Sequence, residues 1–201
     1  MMIISIIKKN SWNIIGAIIV GVLLFMLWTI MNNKPITDED IAYPSDLETL
    51  IDMSAVVVKG TVQDNGTPRN LRRDKVDPRK EAEVIVPGTD YTVSVTEVLK
   101  GDVKGSEGIK VAISGGSYKG KTEKLKANIH RNREYYFFLL PSSMGAPYYF
   151  GSAEPFIFEI TNGMAKAVSS DMDYQKVFMD FELNELVFKN KVTNHLSKSY
   201  E

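Results

Sequence analysis

The feature that most constrains this chain is a long stretch without charge near its N-terminus. Residues 10–33 contain no Asp, Glu, Lys or Arg. A helix over about 12–31 spans roughly 30 Å, the thickness of the hydrocarbon core of a bilayer. Trp12 and Trp28 lie near its two ends, where indole rings favour the headgroup region. The sequence therefore predicts a single transmembrane helix at about 12–31, within an N-terminal region 1–33.

The charges that flank this helix predict its orientation. Lys8 and Lys9 precede it with no acidic residue before them, whereas the acidic residues 38–40 follow it. Positive charge is retained on the cytoplasmic side. We therefore expect a cytoplasmic N-terminus, a polar tether at 34–43, and an extracytoplasmic domain at 44–201 in the cell envelope. A cleaved signal peptide is the alternative, but residues 29–35 lack the small-x-small pair of a cleavage site.

The composition excludes several classes of chemistry. The chain has no cysteine, so disulfides, thiolate metal sites and cysteine nucleophiles are impossible. Its 24 Lys and Arg residues against 25 Asp and Glu residues give a net charge of −1, which argues against a strongly basic nucleic-acid binder. His130 and His195 remain as bases, but there is no Gly-x-Ser-x-Gly elbow, EF-hand loop or P-loop. The sequence therefore predicts no catalytic residue, no metal and no cofactor.

The domain begins with a helix and continues with strands. Ser45 and Glu48 form a capping box, and apolar residues at helical spacing follow to about Met53. The later apolar patterns predict strands at 55–62, 91–98, 109–113 and 134–140, and a hairpin of 156–160 and 164–168. The turn of that hairpin is Asn162-Gly163, a strong hairpin signal. The run at 134–140 is continuously apolar, which predicts a strand covered on both faces.

Two further segments complete the domain. Residues 63–87 carry breakers and nearly balanced charges, and they predict a flexible insertion rather than an ordered binding loop. Apolar residues three and four apart after Asp171 or Asp173 predict a C-terminal helix at about 173–190. The predicted class is α+β, mainly β: a small five- to six-stranded barrel of the oligonucleotide/oligosaccharide-binding (OB) type, with a short leading helix and a C-terminal helix.

The segment Ser45–Val62 resembles the opening of uncharacterised membrane-anchored surface proteins of Gram-positive bacteria. Similar chains continue with a strand ending in Val-Leu-Lys-Gly, here 98–101, and with an aromatic strand like 134–139. Their ectodomains are similar to the barrel of netrin-like modules and of tissue inhibitors of metalloproteinases. The resemblance covers about 45–168 and implies a fold and a location. Those inhibitors act through an N-terminal cysteine, which this chain lacks, so the resemblance implies no inhibitory residue.

The segment between the third and fourth strands is strongly basic. It runs from Tyr118 to Arg133 and carries a single acidic residue, Glu123. The residues we expect to bind an anionic ligand are Tyr118, Lys119, Lys121, Lys124, Lys126, Arg131 and Arg133. A solvated loop whose lysines protect a sheet edge is the alternative interpretation.

These observations favour a non-catalytic binding or interaction protein, anchored in the membrane by one span. The expected partners are another protein, an anionic envelope polymer or lipid headgroups, and not nucleic acid. A cell-envelope hydrolase or protease-inhibitor-like module is one alternative. An accessory subunit of a membrane complex is another, since Ala17 and Gly21 have small-xxx-small spacing in the span.

Overall fold

A computed structural model describes residues 44–103, 108–169 and 183–198. These residues belong to the second of the two units into which the chain divides, Tyr43–Glu201. The predicted transmembrane segment 12–31, the tether 34–43, and the first part of the predicted C-terminal helix, including Asp171 and Asp173, lie outside the described residues. No helix within the described ranges is both long and apolar enough to cross a membrane.

Two helices and eleven strands are described. The helices are α1 (Leu47–Met53) and α2 (Glu185–Lys198). The strands are β1 (Val56–Val62), β2 (Thr67–Asn70), β3 (Pro87–Lys100), β4 (Ile109–Ser114), β5 (Gly116–Tyr118), β6 (Lys121–Glu123), β7 (Glu134–Pro141), β8 (Tyr148–Gly151), β9 (Ile157–Thr161), β10 (Met164–Ala167) and β11 (Leu183–Asn184).

Five of the strands close into a barrel. The hydrogen-bonded order is β1-β3-β4-β8-β7, and β7 pairs with β1 to complete the circle. All of these pairs are antiparallel except β4 with β8, which is parallel. A closed five-stranded barrel with four antiparallel pairs and one parallel pair is consistent with the predicted OB-like architecture. Strands β9, β10 and β11 extend the sheet outward from β7.

Strand β7 is buried on both of its faces, as its continuous apolar run predicted. Tyr135, Phe137 and Leu139 lie opposite alternate residues of β1 and point into the barrel. Tyr136 and Phe138 therefore point outward, where they contact Phe188 of α2. The domain thus has one continuous core with an interior part and a part beneath the C-terminal helix.

The predicted helix boundaries need correction. Helix α1 is capped by Asp46 and not by Ser45, because the Asp46 carboxylate accepts a 2.7 Å hydrogen bond from the Thr49 amide. Residues 183–184, predicted to be helical, form β11 because they pair with β10. Helix α2 then extends to Lys198 and not to about 190.

Helix α2 is held to the rest of the domain by charge as well as by its apolar face. Glu185 lies 2.8 Å from Lys59 of β1, and Lys189 lies 2.5 Å from Glu97 of β3. Phe188 and Val192 of the same helix are fully buried. The helix therefore covers the outer surface of β1 and β7.

The segment 63–87 contains more regular structure than its sequence predicted. Residues 67–70 form β2, which pairs with the start of β3. Asn70 is 1% exposed, and its side chain donates to the carbonyls of Ala82 and Val84 and accepts from the Val86 amide. The buried side-chain amide of Asn70 thus forms hydrogen bonds with backbone groups at 82–86 that have no other partner in the regular structure of the described residues. The flexibility of this segment remains a prediction.

Candidate functional site

The outer surface of β3, β4 and β8 combines charged and aromatic side chains. Tyr91, Val111 and Tyr149 face one another across these strands and are buried in the barrel, so their chain neighbours point outward. Two outward rows result, one of Asp90, Ala112 and Phe150, and one of Thr92, Lys110 and Tyr148. We call these six residues, together with Arg69 of β2, the β3–β4–β8 face.

Arg69 extends across the middle of this face. Its Nε lies 2.8 Å from Oδ1 of Asp90 on β3, and its guanidinium lies 5.6 Å from the ring centroid of Tyr148 on β8. Because β4 lies between those two strands, the guanidinium must lie over β4. The Nε–H does not point at the oxygen, so this contact is an ion pair without an aligned hydrogen bond. Arg69 also approaches Sδ of Met144 in the loop between β7 and β8.

Burial dominates the electrostatics of this ion pair. Burial raises the pKa of Asp90 above its ordinary value, even though Arg69, Arg73 and Lys110 act in the opposite direction. Burial likewise lowers the pKa of Arg69, and Asp90 only partly offsets this. Each side chain is little exposed, at 12% for Arg69 and 11% for Asp90. The pair is therefore a fixed, largely desolvated part of the face, and its guanidinium lies against the Tyr148 ring.

Lys110 is positioned by a short chain of hydrogen bonds. Its Nζ donates to Oγ1 of Thr92 at 2.6 Å, and that hydroxyl donates to the carboxylate of Asp64. Burial alone would raise the pKa of Asp64, but hydrogen bonds from Thr92 and Gly66 and the charge of Lys110 outweigh it, so the pKa is lowered. Asp64 is thus ionised at neutral pH, and its contact with Thr92 holds the Lys110 ammonium group on the β3 side of β4.

Phe150 is the exposed aromatic residue of the face. It is 41% exposed and pairs with Ala112 of β4, which has a small side chain. Sequence reasoning did not select this residue or Tyr148 as part of a site. The sequence signal for these two residues is the triplet Tyr148-Tyr149-Phe150, because the alternation of a strand directs the middle ring to one face and the other two rings to the opposite face.

The basic segment predicted from the sequence is divided between two places. Residues 116–123 form the β5–β6 hairpin. At its tip, Tyr118 Oη donates to Glu81 at 2.8 Å, and Lys119 Nζ lies 3.0 Å from the same carboxylate. Lys121 donates to the carbonyl of Ile85. The structure therefore brings three of the predicted residues against the 63–87 segment.

The other predicted residues are exposed and belong to the connection that leads into β7. Lys124 and Lys126 follow the hairpin, and Arg131 lies in the turn before β7. Arg133 has its Nε 4.0 Å from Glu159 of β9. Arg133 thus contacts a different element from those contacted by Lys119 and Lys121.

Neither histidine lies in a recognisable catalytic arrangement within the described ranges. The His130 side chain is exposed, and its backbone amide donates to the Tyr135 hydroxyl. His195 contacts Asp52 at 2.8 Å, which joins α2 to α1. Across residues 44–103, 108–169 and 183–198, no group of three or more His, Asp or Glu side chains is arranged to hold a metal ion.

Comparison with known proteins adds no assignment, because no protein-family model and no curated protein matches this sequence. The chemistry of the two surfaces described above therefore carries the functional argument.

Proposed function

We propose that this protein is a non-catalytic, membrane-anchored binding protein of the bacterial cell envelope, and that its barrel binds an anionic polymer of that envelope. The observation that carries the proposal is the β3–β4–β8 face, where exposed Phe150 lies beside Tyr148 and its paired cation, Arg69. Lys110 adds a second positive charge in the neighbouring row.

The chemistry of this face suits a polymer that has both apolar and anionic parts. Aromatic rings contact the apolar faces of sugar or polyol units, while ammonium and guanidinium groups bind phosphate or carboxylate oxygens. In five-stranded Greek-key barrels the face formed by the second and third strands commonly binds extended oligomers. Strands β3 and β4 are the second and third strands of this barrel.

The uncharged N-terminal segment supports the proposed location. A helix at about 12–31 with lysines before it would place the barrel outside the cytoplasm, close to the membrane surface. A net charge of −1 also means that attraction to an anionic polymer must come from local cations rather than from the whole protein. Lys110 and the basic hairpin provide such local charge.

The proposal is tested by binding of labelled poly(glycerol phosphate) to the full-length protein in detergent micelles, with neutral dextran as the comparison. We expect salt-sensitive binding of the phosphate polymer alone. Phe150→Ala and Lys110→Gln should each weaken it about fivefold, since one aromatic or charged contact is worth about 1 kcal/mol. Leu186→Ala is the matched control, because Leu186 is exposed on α2, away from this face.

Two results would contradict the proposal. Equal binding by wild type, Phe150→Ala and Lys110→Gln would remove the face from consideration. Binding to anionic vesicles without binding to the soluble polymer would indicate that the protein binds lipid headgroups instead.

A further inference from the structure

The tip of the β5–β6 hairpin has an unusual backbone. Lys119 and Gly120 both have positive φ, 45° and 82°, so the two-residue turn is of the primed kind that normally begins with Asn, Asp or Gly. A lysine in this conformation carries a steric cost. The result is that the Tyr118 hydroxyl and the Lys119 ammonium converge on one point, which the Glu81 carboxylate occupies.

A second cation, Arg73, lies beside this point. Arg73 is the bridge partner of Glu81 within the 63–87 segment, and its charge contributes to lowering the pKa of Glu81. The Nε of Arg73 is buried and has no hydrogen-bond partner among the described residues. Tyr118 and Lys119 each donate to one oxygen of the Glu81 carboxylate, and neither oxygen accepts a hydrogen bond from the Arg73 Nε. A phosphate group has further oxygens and would give Arg73 the acceptor that Glu81 does not supply.

The Glu81 contacts are the kind that a ligand can replace. Lys119 is 59% exposed and Glu81 is 31% exposed, so water competes for both groups. The Arg69–Asp90 pair differs, because both of its side chains are nearly inaccessible. Displacement of Glu81 would leave its carboxylate in solvent, whereas displacement of Asp90 would leave a buried charge.

We propose that Tyr118, Lys119 and Arg73 form a binding site for a phosphate group, and that Glu81 occupies this site in the free protein as an internal competitor. This inference rests on the proposed function, because it assigns one phosphate of the bound polymer to the hairpin tip. Binding of the polymer then exchanges an intramolecular ion pair for an intermolecular one and releases Glu81.

The test compares Glu81→Gln with Glu83→Gln in the full-length protein, again with labelled poly(glycerol phosphate). Glu83 is exposed on the same segment, so both variants change the net charge equally. Removal of the competitor should tighten binding about fivefold in Glu81→Gln. Glu83→Gln should change it less than about twofold, because only screened long-range charge is altered. Lys119→Gln should weaken binding and abolish the gain of Glu81→Gln in the double variant.

Equal tightening by the two glutamate variants would overturn the inference, since it would reflect net charge alone. A loss of binding in Phe150→Ala without any gain in Glu81→Gln would overturn the inference and leave the proposed function standing. A gain in Glu81→Gln with no effect of Phe150→Ala would remove the β3–β4–β8 face and retain the hairpin site. Absence of polymer binding in every variant would overturn both.

Discussion

Replacement of Phe188 by alanine tests the docking of the C-terminal helix. The Phe188 ring is fully buried and lies 4.9 Å from Tyr136, 5.0 Å from Phe158 and 6.3 Å from Phe138, measured between ring centroids. It is therefore the aromatic residue through which α2 contacts both β7 and β9. Alanine would remove these contacts and leave a cavity enclosed by three rings that are held by the sheet.

The magnitude follows from the lost burial and the cavity. Complete burial of a phenylalanine side chain contributes about 1.5–3 kcal/mol by transfer from water. A cavity that does not collapse adds about 24 cal/mol for each Å³ that stays empty. The surrounding rings belong to paired strands and have little freedom to move inward, so we expect Phe188→Ala to lower the free energy of unfolding by about 3–5 kcal/mol.

Urea unfolding of the full-length protein in micelles, followed by far-ultraviolet circular dichroism, measures this loss. Leu186→Ala is the matched control on the same helix, because Leu186 is 65% exposed, and it should cost less than about 0.5 kcal/mol. Hydrogen exchange would separate local detachment of 185–198 from global unfolding. A cost below about 1 kcal/mol for Phe188→Ala, or one equal to the control, would refute the packing described for α2.

Two further predictions concern Asp64, which accepts a hydrogen bond from Thr92 of the β3–β4–β8 face, and Asp90 within that face. The folded-state pKa of Asp64 is lowered, so its stabilisation is present above the unfolded pKa of about 3.9 and is lost as the pH falls through the folded value. Asp64→Asn should therefore cost about 1–3 kcal/mol at pH 7 and progressively less below pH 4 in urea unfolding, and a pH-independent cost would contradict this. Asp90→Asn alone should cost about 3–5 kcal/mol because it leaves Arg69 buried and uncompensated, whereas adding Arg69→Met should restore much of the loss. Strictly additive costs in this double-mutant cycle would argue against the pair.

The elements with strong local patterns were predictable from the sequence. The strand at 134–140 was expected to be covered on both faces, and both faces of β7 are buried. The Asn162-Gly163 turn was expected to join two strands, and both residues have the positive φ of a hairpin turn. In the long strand β3, Tyr91 and Val93 lie in the core and Leu99 packs against it, whereas Val98 is 45% exposed. Bulges between β1 and β3 break the simple alternation there.

Strands β2 and β8 and the β5–β6 hairpin were not predictable, because their structure depends on partners distant in the chain. The sequence of β2 contains Pro68 and polar or charged residues, which is typical of a loop, but its backbone pairs with β3. The Asn70 side chain in turn donates to the carbonyls of Ala82 and Val84 farther along the segment. Strand β8 has only four residues and gains its place by pairing with β4 and β7. The basic hairpin likewise has its two strands only in the context of the 63–87 segment that it contacts.

By itself the sequence established which residues are chemically able to act: it has no cysteine, two histidines, an uncharged N-terminal stretch and a basic segment between the third and fourth predicted strands. Periodicity also identified the apolar faces, because helix and strand geometry act over a few neighbouring residues. The tertiary structure decided which of these groups meet. Arg69, Asp90, Lys110 and Tyr148 form one face only when the barrel closes, and Lys119 meets Glu81 only when the hairpin packs on the insertion. Such contacts depend on strand register over long sequence separations, and no local pattern encodes them.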